Sequence, residues 1–310
     1  MKIRIGTRGS KLAVVQCEWV RERIGSINPA VEVELVRIKT TGDRVLDSPL
    51  SMIGGKGLFV KEIEEALLEG RVDLAVHSMK DVPAELPDGL ILTSFPKRED
   101  PHDVLISNGN LPLSEIPEGG RLGTSSLRRA AQVLHLRPDL EVIPLRGNVD
   151  TRLKKLKRGD FDAVILAAAG LNRLGFTEEI SQILATADVL PAIGQGALGL
   201  EVREDDSTVI DLLAAMNHPP TEMAVTAERA FLQRLEGGCQ VPIAGLARLD
   251  GDALILEGMV AELDGSRLLR DKIRGVEEQA AEMGVSLAGR LIDAGAGEIL
   301  DRIYGRDEER

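Results

Sequence analysis

Residues 121–170 read RLGTSSLRRAAQVLHLRPDLEVIPLRGNVDTRLKKLKRGDFDAVILAAAG. Short apolar runs alternate here with longer amphipathic stretches. The pattern predicts strand Arg121–Gly123, a helix from Ser125, strand Val142–Leu145, a helix from Val149, strand Asp162–Ala167 and a helix from Gly170. Strands separated by helices form parallel α/β units, which take their ligands at the C-terminal ends of the strands. The N-terminal third repeats the theme. A strand at Lys2–Gly6 precedes a helix capped by Ser10, with Ala13, Cys17, Val20 and Ile24 on its apolar face. A strand at Val31–Thr40, a helix at Gly57–Glu69 stopped by Gly70, and a buried strand at Asp73–His77 follow, and Ser78–Pro83 leaves as a loop.

Pro96, Pro101, Pro112 and Pro117 mark a passage into a second unit. Gly194-Gln-Gly-Ala-Leu-Gly199 matches a dinucleotide fingerprint only as a string, because a strand-like Leu200-Glu-Val follows where that fingerprint needs a helix. A hinge is the better reading of these glycines. Beyond Pro219-Pro220 come a helix from Thr221 to Leu235, three strand-like runs joined at Asp250-Gly251 and Asp264-Gly265, and a helical stretch from Glu277 to Tyr304. The expected division is 1–96 with 197–217, then 97–196, then 218–310 as a small α+β domain.

Composition narrows the function classes. The 310 residues carry a net charge of −12, and aromatic residues make up 2% of them, a poor basis for general nucleic-acid binding. No apolar run is long enough to span a bilayer. Cys17 and Cys239 make neither a disulfide framework nor a metal cluster, and the four histidines lack metal-ligand spacing. A cytoplasmic monomer without metal is expected. The average charge hides an island, however: Arg121–Arg158 carries +7, against −19 in the remainder. Arg128, Arg129, Arg146 and Arg152 fall at strand-to-helix junctions, where helix N-termini and guanidinium forks suit a carboxylate or phosphate. The chain therefore reads as a receptor for a small polyanion.

Individual groups leave alternatives open. Lys56, in Gly54-Gly-Lys-Gly-Leu-Phe59, is an anion contact or part of a capped turn; the spacing excludes a P-loop. His77 reads as a satisfied core residue and Cys17 as a small core hydrophobe. Cys239 is a buried thiol or a functional one. Asp81 pairs with Lys80 at the surface, or it stabilises a cationic intermediate at a strand end.

Taken together, the strings resemble the porphobilinogen deaminase family over nearly the whole chain. They are Gly6-Thr-Arg-Gly-Ser10, Gly54-Gly-Lys-Gly-Leu-Phe59, Val76-His-Ser-Met-Lys-Asp-Val-Pro83 and Gly123-Thr-Ser-Ser-Leu-Arg-Arg129. Further on come Leu145-Arg-Gly-Asn-Val149 with Thr151-Arg152, Ala169-Gly-Leu-Asn-Arg-Leu-Gly175, Gly194-Gln-Gly-Ala197 and Glu236-Gly-Gly-Cys-Gln-Val-Pro242. The resemblance implies two lobes like those of periplasmic binding proteins and a third domain whose Cys239 holds a dipyrromethane cofactor through a thioether. It implies condensation of four porphobilinogen molecules with loss of ammonia, then hydrolytic release of a linear tetrapyrrole. Asp81 matches the catalytic carboxylate. Lys80, Thr124, Ser126, Arg128, Arg129 and Arg146 correspond to cofactor-binding positions. Arg8, Ser10, Lys56, Phe59, Arg146, Arg152, Arg173 and Gln195 correspond to substrate-binding ones. Met52 and His102 depart from the family pattern. The competing expectation is a non-enzymatic two-lobed receptor for an organic polyanion, which gives Cys239 no task.

Overall fold

The structure, a computed structural model, describes residues 1–41, 57, 60–236 and 241–305. Packing divides the chain into two compact units, Met1–Glu99 with Gly196–Glu222 and Asp100–Gln195 with Met223–Arg310. Unit 1 opens with β1 (Lys2–Thr7), α1 (Lys11–Ile27), β2 (Glu32–Arg37), α2 (Lys61–Leu68), β3 (Leu74–Ser78) and β4 (Leu90–Ser94). Unit 2 begins with β5 (Asp103–Ser107), β6 (Arg121–Gly123), α3 (Leu127–Leu136) and β7 (Glu141–Ile143). It continues through α4 (Val149–Lys157), β8 (Ala163–Ala167), α5 (Ala168–Leu174) and β9 (Gln182–Ile183). The chain then returns to unit 1 as β10 (Leu198–Arg203) and α6 (Ser207–Ala214). Last come α7 (Pro219–Arg234), β11 (Ile243–Asp250), β12 (Ala253–Ala261), β13 (Leu268–Gly275), α8 (Ala280–Leu291) and α9 (Gly297–Tyr304).

The described residues form one strand order twice: β2-β1-β3-β10-β4 in unit 1 and β7-β6-β8-β5-β9 in unit 2. In each sheet the first three strands run parallel and the fourth is antiparallel to both its neighbours. That fourth strand is the first strand after a passage of the chain between units: β5 after Glu99, β10 after Gln195. Two α/β units and a smaller three-stranded α+β part are the architecture expected from the alternation of the sequence.

Several helices start where side-chain oxygens meet unpaired N–H groups. Ser10 accepts from Ala13 N, Ser126 from Arg129 N and Asn148 from Thr151 N. Cys17, Val20 and Ile24 of α1 are fully buried with Ile3 and Ile5 of β1. Burial pushes the Cys17 thiol up to about 11, consistent with a packing role.

The structure corrects several expectations. The proline-punctuated passage contains β5, whose five residues are all buried. Its short apolar run was hidden between Pro101 and Pro112. The loop expected after Ser78 begins with a 3₁₀ turn, Met79–Asp81. The helix expected from Gly170 starts earlier, at Ala168. β4 and α6 were absent from the expected elements.

The third sheet, β11-β12-β13, belongs by packing to unit 2. Its Asp264-Gly265 turn lies so close to α3 that a Cβ on Gly265 would sit 2.5 Å from the Ala131 carbonyl oxygen. Ala131, Leu190, Ala244, Leu246, Met259 and Ala261 form a shared cluster. Behind it, fully buried Phe231 of α7 fills the space left by Gly258, where a Cβ would meet the ring at 2.5 Å. Phe231→Ala should cost about 3–5 kcal/mol through cavity formation, and Gly258→Ala about 1–3 kcal/mol through overpacking. Urea unfolding followed by circular dichroism measures both losses, and a change below about 0.5 kcal/mol in either variant would contradict this packing.

Candidate functional site

In unit 1 several of the residues singled out in the sequence gather at the C-terminal ends of two neighbouring strands. β1 and β3 are parallel, so the residues that follow them, Arg8 and Ser10 after one and Lys80 and Asp81 after the other, leave the same end of the sheet. Ser10 uses its hydroxyl oxygen to cap α1. Lys80 and Asp81 flank no random loop. Met79, 2% exposed, anchors the 3₁₀ turn and its N–H donates to the Ala197 carbonyl. Gly199 makes the anchor possible, since a Cβ there would fall 2.2 Å from Met79 Sδ and 2.8 Å from a Leu92 methyl. Lys80 and Asp81 are thereby held half-buried at the strand end.

Unit 2 places a second group at the C-terminal ends of β6, β7 and β8. The Thr124 N–H donates to Ile143 O, and its hydroxyl oxygen accepts from Ser126 N at 3.2 Å. Ser125 donates to Leu145 O at 2.9 Å, so the whole Thr124–Ser126 turn is pinned. Arg146 and Arg152 are half-buried, and Arg152 Nε donates to Gly147 O at 2.7 Å. Gly147 takes φ +115 against Thr151, whose methyl would clash with any side chain there. Arg173 is half-buried in the last turn of α5, before the left-handed Gly175 cap. Cys239, Lys56, Phe59 and Met52 lie outside the described residues. His102 is occupied by Asp100, its Nδ1 lying 2.5 Å from Asp100 Oδ1.

Arg128 and Arg129 are not the free surface cations that their charge suggests. They are 5% and 6% exposed and converge on Asp103, a fully buried carboxylate at the start of β5. Arg128 Nη1 donates to Asp103 Oδ2 at 2.7 Å, while Arg129 Nε and Nη2 donate to Oδ1 at 2.9 and 2.6 Å. Burial alone would raise the Asp103 pKa, but the two guanidiniums override it and hold the carboxyl well below the usual carboxylate range. Gln195 donates its amide to the same carboxylate at 3.0 Å and to Pro101 O at 2.7 Å. Sequence reasoning missed Asp103. The signal was an acid opening the apolar run Asp103-Val-Leu-Ile-Ser, where a charge needs a partner.

Residues 3–211 match the family model described as porphobilinogen deaminase, dipyromethane cofactor binding domain, and residues 223–293 match porphobilinogen deaminase, C-terminal domain. Porphobilinogen deaminase from Trichlorobacter lovleyi is 55% identical over 306 residues, covering 99% of this chain and 98% of that one. The protein of that name from Geobacter metallireducens is 54% identical over 309 residues, covering 100% and 97%. Among solved structures, the periplasmic aliphatic sulphonate binding protein SsuA from Escherichia coli overlays with a TM-score of 0.40 at 14% identity, covering 76% of this chain and 70% of that one. The two family models define a cofactor-dependent enzyme of tetrapyrrole synthesis rather than a receptor. The chain belongs to the porphobilinogen deaminase family.

Its residues suit a dipyrromethane that bears acetate and propionate groups. One buried carboxylate against two guanidiniums leaves an excess positive charge at the N-terminus of α3, where the helix dipole adds to it. Among the described residues Arg128 commits only Nη1, to Asp103 and Leu190 O, which leaves Nε and Nη2 for an anion.

His77 is the satisfied core residue that the sequence suggested, with Nε2 2.7 Å from Glu201 Oε2. Glu64 of α2 adds a third titratable group. Burial, and then the neighbouring Glu201 charge, pushes its carboxyl up to about 7, with His77 opposing. Glu64 Oε1 and Glu201 Oε1 have no hydrogen-bond partner among the described residues. A carboxyl raised in the native state binds its proton there more tightly than in the unfolded chain. Its contribution is therefore lost as the pH rises from about 4.5 through about 7. Glu64→Gln, which mimics the protonated form, should match the parent in stability at pH 4.5 and exceed it by on the order of 2 kcal/mol at pH 8. Thermal unfolding across this range provides the check, and a pH-independent difference would remove Glu64 from that role.

Proposed function

We propose that this chain carries a dipyrromethane on Cys239 and uses it as the primer for stepwise deaminating condensation of four porphobilinogen molecules. Hydrolysis then releases hydroxymethylbilane. The observation that carries this reading is the set of cationic side chains at parallel strand ends: Arg8 and Lys80 in unit 1, Arg128, Arg146 and Arg152 in unit 2. A growing pyrrole chain gains two carboxylates with each ring. Charge-assisted hydrogen bonds of about 1.5–3 kcal/mol each suit retention of such a polyanion through successive additions.

The proposed division of roles follows from residue chemistry. Arg128, Lys80 and Arg146, with the hydroxyls of Thr124 and Ser126, hold cofactor carboxylates. Arg8, Arg146, Arg152 and Arg173 receive those of the substrate, joined by Ser10, Lys56, Phe59 and Gln195. The dipyrromethane, when bound, supplies the free pyrrole carbon to which the first substrate ring is joined. Asp81, fixed by the Met79 turn, presents an anionic oxygen to the positive charge that develops on substrate as ammonia leaves. Charge stabilisation of this kind lowers the barrier without Asp81 moving a proton. The proposed setting is the cytoplasm, with the protein acting as a monomer.

Intact mass spectrometry of the purified full-length protein is expected to show the bare chain plus two pyrrole units, and Cys239→Ser to show the bare chain alone. A parent protein at bare mass that remains so after incubation with porphobilinogen would overturn the proposal. For catalysis, Asp81→Asn should retain the cofactor mass while kcat falls by a factor of about 10² or more, or about 2.7 kcal/mol in the barrier. Ammonia release measures that rate, and a variant within a few-fold of the parent would exclude Asp81 as the stabilising group.

A further inference from the structure

Adjacent residues on a helix point about 100° apart, so the tandem Arg128-Arg129 should present two cations in different directions. The structure brings both onto Asp103 and gives them unequal work. Arg129 is spent within the protein: Nε and Nη2 on Asp103 Oδ1, and Nη1 on Ile165 O at 3.0 Å. Arg128 keeps Nε and Nη2 uncommitted among the described residues. The same carboxylate is joined to both passages of the chain between units. Asp103 lies four residues past Glu99, and Gln195, which donates to Asp103 Oδ1, is the last residue before the return. Leu190, a little earlier on that return, accepts from Arg128 Nη1 and Gln132 Nε2 and donates to Gln132 Oε1 at 2.7 Å.

We propose that Asp103 is a positioning residue for the cofactor: with Arg129 as its anchor, it orients Arg128 toward a ligand carboxylate and ties that guanidinium to both chain passages. Asp103 acts through Arg128 and touches no ligand itself. The inference rests on the reading of unit 2 as the dipyrromethane-holding unit. It deepens that reading by dividing two arginines, alike in sequence, into one that binds and one that supports.

The test uses full-length protein produced in a host unable to make porphobilinogen. Loading is followed as the rate at which intact mass gains two pyrrole units after porphobilinogen is added. Asp103→Asn alone leaves two buried like charges and is expected to fold poorly. Asp103→Asn combined with Arg129→Gln keeps the net charge of the cluster and provides the informative variant. It should fold, by circular dichroism, and load at least tenfold more slowly than the parent. Asp103→Glu, which keeps the charge but displaces it by one methylene, should recover part of that rate. In an Arg128→Gln background, the combined Asp103→Asn and Arg129→Gln change should slow loading by less than twofold further. Loading of the charge-balanced variant at the parental rate would overturn the proposal. So would failure of that variant to fold, or a slowing that persists in full without Arg128. A parent that gains no mass refutes the cofactor reading itself, which separates the two failures.

Discussion

Two guanidiniums and one carboxylate can be kept away from water only if nearly every polar atom among them finds a partner. The Asp103 cluster meets most of that requirement with backbone carbonyls from β8 and from the Leu190 segment, and with the Gln195 amide, and among the described residues it leaves Nε and Nη2 of Arg128 uncommitted. These contacts join the start of α3 to the middle of β8 and to the chain on its way out of unit 2. The pattern extends through Glu228, fully buried in α7, whose two oxygens accept from Gly194 N and Ala247 N. A row of buried charges thus locks the return segment against α3 on one side and the third sheet on the other. Removing one partner would strand a charge, a loss of about 3–5 kcal/mol that keeps such a cluster intact once formed.

Unit 1 uses a different physical device at the corresponding strand end. The bare backbone of Gly199 admits Met79, whose N–H donates to the Ala197 carbonyl, so close packing and a backbone hydrogen bond hold the Lys80–Asp81 turn. The contrast suits the chemistry proposed for each set of strand ends. In the proposed division of roles, cations that retain a polyanion lose little from a support that leaves them charged.

Much of this was legible in the residues. Alternation of strand and helix in Arg121–Gly170 gave the parallel units, the cap at Ser10 gave a helix start, and Asp250-Gly251 and Asp264-Gly265 gave the third sheet. The strings that carry the resemblance put Asp81, Arg128 and Arg146 just past predicted strands, and the structure has them just past β3, β6 and β7. β5 escaped because a buried five-residue run between prolines has no period to read. Asp103 and Glu228 escaped because an isolated acid in sequence carries no sign of its partner, which lies 25 or 26 residues away for Arg128 and Arg129 and 34 for Gly194. The same holds for Glu64, His77 and Glu201, which come from three separate elements.

The placement of β10 also bears on how the molecule is made. Unit 1 is discontinuous, and β4 finds its sheet partner in β10, more than a hundred residues later. A chain emerging from the ribosome can assemble the sheet of residues 100–195 from contiguous sequence, while the sheet of unit 1 waits with an open edge at β3 and β4 until residues 198–203 arrive. Synthesis order therefore runs against residue order: the middle of the chain can complete its sheet before the beginning does. During that interval Leu90–Ser94 is a strand without a neighbour, the segment most in need of protection from other nascent chains.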